Sequence, residues 1–283
     1  MILEIILIII TLIVLLIASY SDLRIREVPD WLNYGLIFSA LGIRAIFSFI
    51  YGWEIIVSGI FGFIVCLGLA YLFYYTHQWG GGDSKLLMAM GAVIGITFPF
   101  NNTSWDLALF FFALIFFGAF YGLLWITYMA IRKRKHFFPE FKSNFHKKKF
   151  LHNIILIVTL LLLLLGFYNL SLLFFAIFPL LFFYLFLYVE TAEDVCFLTT
   201  IDVDNLTEGD WLAEDVRIKS ETVLVKKTLE KEDLRKLKQM KLEDKLKEVH
   251  IREGIPFIPS FLLAYLILIF GKDMFSFLLK LFT

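Results

Sequence analysis

Two aspartates carry the chemistry this sequence offers. Asp83 sits in Gly80-Gly81-Gly82-Asp83-Ser84-Lys85, between hydrophobic runs at residues 55–75 and 86–100. Asp22 sits in Ser21-Asp22-Leu23-Arg24-Ile25-Arg26-Glu27-Val28-Pro29-Asp30, directly after the apolar run 2–20. A carboxylate at the end of a membrane helix costs on the order of 2.5–3.5 kcal/mol if it lies deep, so it is a functional candidate by default. The plainer role for Asp83 is to cap the helix that follows it through the free N–H groups of the first turn. Two carboxylates a few ångströms apart cannot both ionise easily and share one proton. The ionised one takes a proton from water while the protonated one polarises a carbonyl. That is peptide-bond hydrolysis with no metal, cofactor or covalent nucleophile. The three glycines before Asp83 free the backbone for a tight turn and a close helix approach.

The elements that must bring these residues together read as membrane spans. The chain has 283 residues, 60% of them hydrophobic, with 33 Phe; long unbroken apolar runs of this kind indicate a bilayer. About eight spans are expected, over residues 2–20, 32–50, 55–75, 86–100, 107–131, 151–167, 170–189 and 255–270. The first lacks a basic leader and a small-residue cleavage site and reads as a retained helix. Pro29 can stop one helix or start the next. Arg44, inside the second run, is expected to snorkel outward. The fourth run is short and is expected to be flanked by protein. Lys+Arg and Asp+Glu balance at 26 each, which points to no polyanionic partner and no nucleic acid. Cys66 and Cys196 are far apart and form no CxxC pair, so neither a zinc site nor a disulfide framework is read.

The polar segments complete the organisation. Residues 1–131 read as a catalytic transmembrane core of five helices. Residues 132–189 read as a basic loop (Arg132, Lys133, Arg134, Lys135, Lys142, Lys147, Lys148, Lys149) and a transmembrane hairpin turning at Gly166 and Asn169. The loop reads as an anchor at the lipid surface. Residues 190–254 read as a small soluble α+β module, with β-prone pieces at 195–201, 216–218 and 222–225. A helix is expected over 231–248, with Leu234, Leu237, Leu242 and Leu246 on one face. Residues 255–283 form the last transmembrane helix and tail. The fold class is thus a polytopic α-helical membrane protein with a small soluble α+β cytoplasmic module. The positive-inside rule sets the orientation. With the N-terminus outside, Arg24, Arg26, Lys85 and the basic loop all fall on the cytoplasmic side of the cell membrane, and only Lys272 and Lys280 oppose the pattern. Asp22 and Asp83 then lie at the same, cytoplasmic face.

At this point the sequence resembles a known family. Asp22-Leu23-Arg24-Ile25-Arg26-Glu27-Val28-Pro29-Asp30-Trp31-Leu32-Asn33 looks like the first-aspartate motif of type IV prepilin peptidases, and Gly80-Gly81-Gly82-Asp83-Ser84-Lys85 looks like their GxGDxK motif. The likeness is greatest to the archaeal preflagellin peptidases, which are GxGD aspartic membrane proteases. Both this chain and that branch lack the bacterial cysteine-motif domain. The clear resemblance covers roughly residues 1–95; Gly254-Ile255-Pro256-Phe257-Ile258-Pro259 also resembles a proline-bearing entry to the family's last helix. The resemblance implies an endopeptidase that cuts class III signal peptides of type IV pilin-like or archaellin precursors at the cytoplasmic face, in contact with membrane lipid and without cofactor. It implies Asp22 and Asp83 as the catalytic pair and Gly80 and Gly82 as conformational motif glycines. Lys85 matches the motif lysine and can act on Asp83 by charge, bind a headgroup phosphate or anchor the interface. The chain departs from the archaeal branch, where about six spans are expected; the basic loop and hairpin are the extra part.

Other residues are weighed against this frame. Glu27 and Asp30 are the acids placed to contact a basic signal peptide. His77 reads as a solvated loop histidine. Asp202, Asp204, Asn205, Glu208 and Asp210 lack EF-hand spacing and read as an acidic turn. Two alternatives stay open. A presenilin-like intramembrane protease also pairs aspartates through GxGD, but it favours Tyr-Asp and Pro-Ala-Leu where this chain has Ser21-Asp22 and Pro259-Ser260-Phe261. A transporter using buried carboxylates would place them near mid-membrane, with matched breaks in two halves.

Overall fold

The computed structural model describes residues 2–282 apart from 77, 219, 220 and 244, with the side chains of 102, 171, 172, 218, 221 and 272–282 also left undescribed. His77 and the charged groups of Lys272 and Lys280 therefore lie outside the described residues. The apolar runs become helices: α1 (Ile2–Ile25), α2 (Asp30–Tyr51), α3 (Glu54–Tyr75), α4 (Gly81–Ile94), α5 (Asp106–Arg132), α6 (Arg134–Lys147), α7 (Lys149–Gly166), α8 (Leu170–Ala176), α9 (Phe178–Cys196), α10 (Lys231–Leu242) and α11 (Ile258–Phe282). The strands are β1 (Leu198–Asp202), β2 (Trp211–Leu212), β3 (Val216–Ile218), β4 (Glu221–Leu224) and β5 (Glu248–Arg252). The protein is a mostly helical, multi-pass membrane protein with a small sheet region. Among the described residues, 6 helices are long and apolar enough to cross a bilayer. The expected count of about eight is reached only with α4, at 14 residues, and the shorter apolar stretch Ile258–Gly271 of α11. The chain forms two compact units, Met1–Gly122 with Ile255–Thr283, and Leu123–Gly254.

In the first unit the core runs along α4. Leu86, Leu87 and Met90 are fully buried, together with Leu15 of α1, Leu36 of α2, Phe110 of α5 and Phe261 of α11. Each such side chain contributes roughly 1.5–3 kcal/mol relative to exposure in water, an upper figure where the reference is lipid. α3 and α4 meet backbone to backbone. A Cβ on Gly62 would fall 2.3 Å from the Gly91 carbonyl oxygen, and one on Gly91 would fall 2.4 Å from that of Gly62 and 2.7 Å from Cys66 Cβ. Small residues at such a crossing let van der Waals contact replace the hydrophobic drive that lipid removes.

Two expectations for this unit need correction. α4 begins at Gly81, not at Leu86, so Asp83 lies inside the first helical turn, and the chain leaves the helix after Ile94. Arg44 does not snorkel outward. It is 7% exposed, and it donates from Nη1 to Ser58 Oγ (2.7 Å) and Ile55 O (3.2 Å) and from Nη2 to Val93 O (2.6 Å) and Ile94 O (3.0 Å). The physical reason is the brevity of α4. Its last carbonyls have no intrahelical partner, and they end inside the protein where a guanidinium fork can reach them. Gly59 leaves room for the arginine stem, since a Cβ there would stand 2.5 Å from Arg44 Cδ.

In the second unit the expected basic loop is itself helical. α6 follows α5 after Lys133 and precedes α7 after Lys147, with Pro139 inside it. Phe137 and Asn144 are its buried residues. Lys148 pairs with Glu190, and Lys133 Nζ donates to Cys196 O (2.8 Å). The run expected as one span over 170–189 is divided into α8 and α9.

The α+β module is present with altered bounds. α9 runs on to Cys196, and the helix expected over 231–248 stops at Leu242, leaving Leu242 exposed and Leu246 off the helix. Residues 248–252 form β5 instead, the central strand of an antiparallel sheet in the order β1-β5-β2, with Thr200 opposite His250 and Leu212 opposite Ile251. β3 and β4 form a separate hairpin. Val203, Leu212, Leu229, Leu237, Val249 and Ile251 make the small core. The acidic turn is drawn in by Lys241, which pairs with Asp202 and with Asp204 (2.5 Å). The lysine's hydrogen bond, helped by the Asp204 N–H, holds the Asp202 carboxyl below the usual carboxylate range. Burial pushes the Asp233 carboxyl up, but the Lys227 ammonium at 2.8 Å and the Glu230 N–H outweigh it and hold it below that range.

Candidate active site

The buried face of α1 recurs at Leu7, Thr11, Leu15, Ala18, Ser19 and Asp22, a helical spacing that makes Asp22 the last member of a core-facing stripe. Its side chain is therefore buried, 7% exposed, although it sits in a sequence of charges. α1 ends at Arg26, whose φ of 57° is a left-handed cap, and Arg26 N donates to Asp22 O (3.0 Å). Pro29, with φ −57° and ψ 133°, then precedes α2.

Asp83 is placed by a helix start. Gly80 is the extended N-cap residue, its carbonyl accepting from Ser84 N (3.1 Å). Asp83 is at the third helical position, and its half-buried carboxylate reaches back to the Gly80 main chain. Asp83 is therefore not the N-cap that the sequence suggested: that place is taken by Gly80, which has no side chain to cap the helix. Among Gly80, Gly81 and Gly82 no positive φ occurs. A Cβ on Gly80 would stand 3.6 Å from Asp83 Oδ2, and one on Gly82 would stand 3.6 Å from Val28 Cβ. Both are ordinary contacts, so the tight-turn reason for these glycines is not the one at work in this conformation.

The structure brings the two aspartates into one region. Their charges are near enough to act on one another, and the turn after α1 touches the start of α4 through Val28 and Gly82. Lys85 Nζ pairs with Asp30 Oδ1 (2.5 Å) and lies 5.6 Å from the centroid of the Tyr34 ring. The motif lysine thus ties α4 to the first turn of α2. Of the two acids expected to contact substrate, Asp30 is engaged in this pair, while Glu27 is exposed and its carbonyl accepts from Ser21 Oγ (2.8 Å).

Sequence reasoning missed three participants. Ile258 N, at the start of α11, donates to Asp22 Oδ2 (2.9 Å). Tyr121 of α5 lies within electrostatic reach of Asp22. Trp79, just before the glycines, packs against Phe73 (4.6 Å between centroids), Phe257 (5.5 Å) and Phe261 (5.8 Å). The first is a main-chain group and has no signature letter. The aromatic residue beside the glycine triplet was the one available signal. Chemically, the site holds two carboxylates of unequal surroundings, one held by a backbone donor from a distant helix and one in the first turn of its own helix.

Comparison with known proteins adds an independent finding. Residues 9–123 match the Type IV leader peptidase family, a segment that contains both aspartates. The chain is 40% identical over 81 residues to a preflagellin peptidase of Methanococcus voltae and to one of Methanocaldococcus jannaschii, each match covering 28% of this chain and 34% of the relative. It is 34% identical over 87 residues to a preflagellin peptidase of Methanococcus maripaludis, covering 28% of this chain and 35% of that protein. The chain thus spans about a third of the length of the relatives it matches. The resemblance stated from the two motifs holds over this segment.

Proposed function

We propose, from the premise that residues 9–123 match the Type IV leader peptidase family, that this protein is a membrane aspartic endopeptidase acting on prepilin- or preflagellin-like precursors. The observation that supports the reading is that Asp22 of α1 and Asp83 of α4 lie within reach of each other's charge. One aspartate is ionised and takes a proton from water. The resulting hydroxide adds to the scissile carbonyl carbon while the protonated aspartate donates to its oxygen. Collapse of the tetrahedral intermediate breaks the C–N bond; the leaving nitrogen takes the proton held by the first aspartate, a hydroxyl of the intermediate returns its proton to the second, and the dyad again holds one shared proton.

The distribution of basic residues supports a cytoplasmic site and an outside N-terminus. Glu27, exposed beside Asp22, is the acid available to a basic signal segment. Replacing it with Gln is expected to raise KM for such precursors several-fold, and an unchanged KM removes it from recognition. The experiment for the function itself uses purified full-length protein in lipid or detergent with a preflagellin-like precursor. Asp22→Asn and Asp83→Asn should each abolish release of the signal peptide while leaving the thermal midpoint within a few degrees. Processing that survives either substitution overturns the reading.

A further inference from the structure

The last helix enters the molecule at the point where the two aspartates are held. Ile258 is the first residue of α11. Its main-chain N–H points at Asp22 Oδ2, 2.9 Å away and buried. The first N–H groups of a helix have no partner within it and carry the positive end of its dipole, so they favour a carboxylate in its charged form. The segment just before it is tightly fixed. A Cβ on Gly118 of α5 would meet the Phe257 ring at 2.7 Å, Phe257 packs on Trp79, and Pro256 and Ile258 are buried. The entrance of α11 therefore touches three things at once: the Asp22 carboxylate, α5, and the residue that leads into the Gly80–Asp83 turn.

Resting on the dyad reading above, we infer that the main-chain N–H of Ile258 is a positioning group of the site. It fixes Asp22 as the ionised partner, so that Asp22 draws the proton from water and Asp83 donates to the carbonyl. The asymmetry is built from geometry. Asp22 accepts from another helix's free N-terminus, whereas Asp83 lies beside the main chain that opens its own helix. The other charged or titratable groups facing Asp22 are Arg26 on its own helix, Asp83 from α4 and Tyr121 from α5. None of these main-chain or side-chain partners but Ile258 ties Asp22 to α11, whose entrance lies outside the matched residues 9–123.

The test removes the donor and keeps the helix. Proline at the first helical position is tolerated and has no N–H, so Ile258→Pro deletes this contact alone among the main-chain bonds of α11. Loss of a hydrogen bond to a charged acceptor should move the acid limb of the pH profile of kcat/KM upward by about one pH unit. Ile258→Ala loses more of the buried side chain but keeps the N–H, and its acid limb should stay in place whatever its rate. Gly118→Ala, which displaces the Phe257 ring, should shift the limb in the same direction by less, and it decides the matter if Ile258→Pro does not fold. An acid limb unmoved in the folded proline variant, or moved equally in the proline and alanine variants, overturns the inference. Asp22→Asn and Asp83→Asn separate the two readings. If either cleaves at a rate near that of the unmodified protein, the protease reading fails. If both are inactive and the acid limb of Ile258→Pro does not move, only the role of Ile258 fails.

Discussion

The two ends of α4 are built on opposite principles. At its C-terminal end, Arg44 supplies donors to the Val93 and Ile94 carbonyls and to Ser58, and glycines at 62 and 91 bring α3 and α4 into backbone contact. At its N-terminal end, the glycines have room around them, Asp83 is half-buried, and the tie to α2 is a partly exposed Lys85–Asp30 pair. The first end is rich in hydrogen bonds and filled to contact distance; the second is packed with room to spare and partly exposed. The difference teaches that a short helix in a membrane protein can be held tightly by one end while the other is only loosely packed.

The comparison is broken most sharply by removing the reactive end. Asp22→Asn and Asp83→Asn should each lower the cleavage rate by about 10³–10⁴-fold, measured on a precursor substrate, with little change in stability. Next comes the fixed end. Arg44→Met leaves buried carbonyls without their donor and should cost about 3–5 kcal/mol, read as a loss of denaturation midpoint. Arg44→Lys should lie between, because a lysine lacks the planar fork. Glycine replacements then contrast the ends directly. Gly62→Ala or Gly91→Ala should destabilise by about 1–3 kcal/mol through overpacking, whereas Gly82→Ala should leave stability unchanged or raise it by about 0.5–1 kcal/mol. If Gly82→Ala proves as damaging to stability as Gly91→Ala, the contrast between the ends is wrong. The smallest effect is expected for Lys85→Met and Asp30→Asn, each below about 1 kcal/mol because the pair is partly solvated.

Much of this was legible in the sequence, for identifiable reasons. The long helices follow from apolar runs that no other environment would favour, and the two acidic motifs stand out because charge in such a setting is costly. The start of α4 differs from the reading because glycines read as a loop by propensity, whereas Gly81 and Gly82 open the first turn after the extended Gly80. α6 was hidden because a basic, polar helix carrying a proline has no apolar run to announce it; its few buried groups find partners far along the chain. The helix over 231–248 reads too long because Leu246 continues a helical spacing, and β5 is not announced because its partner β1 lies about 50 residues away in the chain. Arg44 read as outward-facing because the carbonyls it serves belong to residues almost 50 positions further on. The Ile258 donor is a main-chain group and leaves no mark in the alphabet at all.

The glycine crossing between α3 and α4 has a mechanical consequence. With Gly62 and Gly91 seated against each other's carbonyl oxygens, neither residue puts a side chain between the two backbones at that point to act as a roller. The pair behaves as a single strut. Any displacement that carries Asp83 toward its partner must carry α3 as well, together with the short connection around Trp79 that joins them. A shift of α3 at the crossing is then shared by α4 and felt at both of its ends.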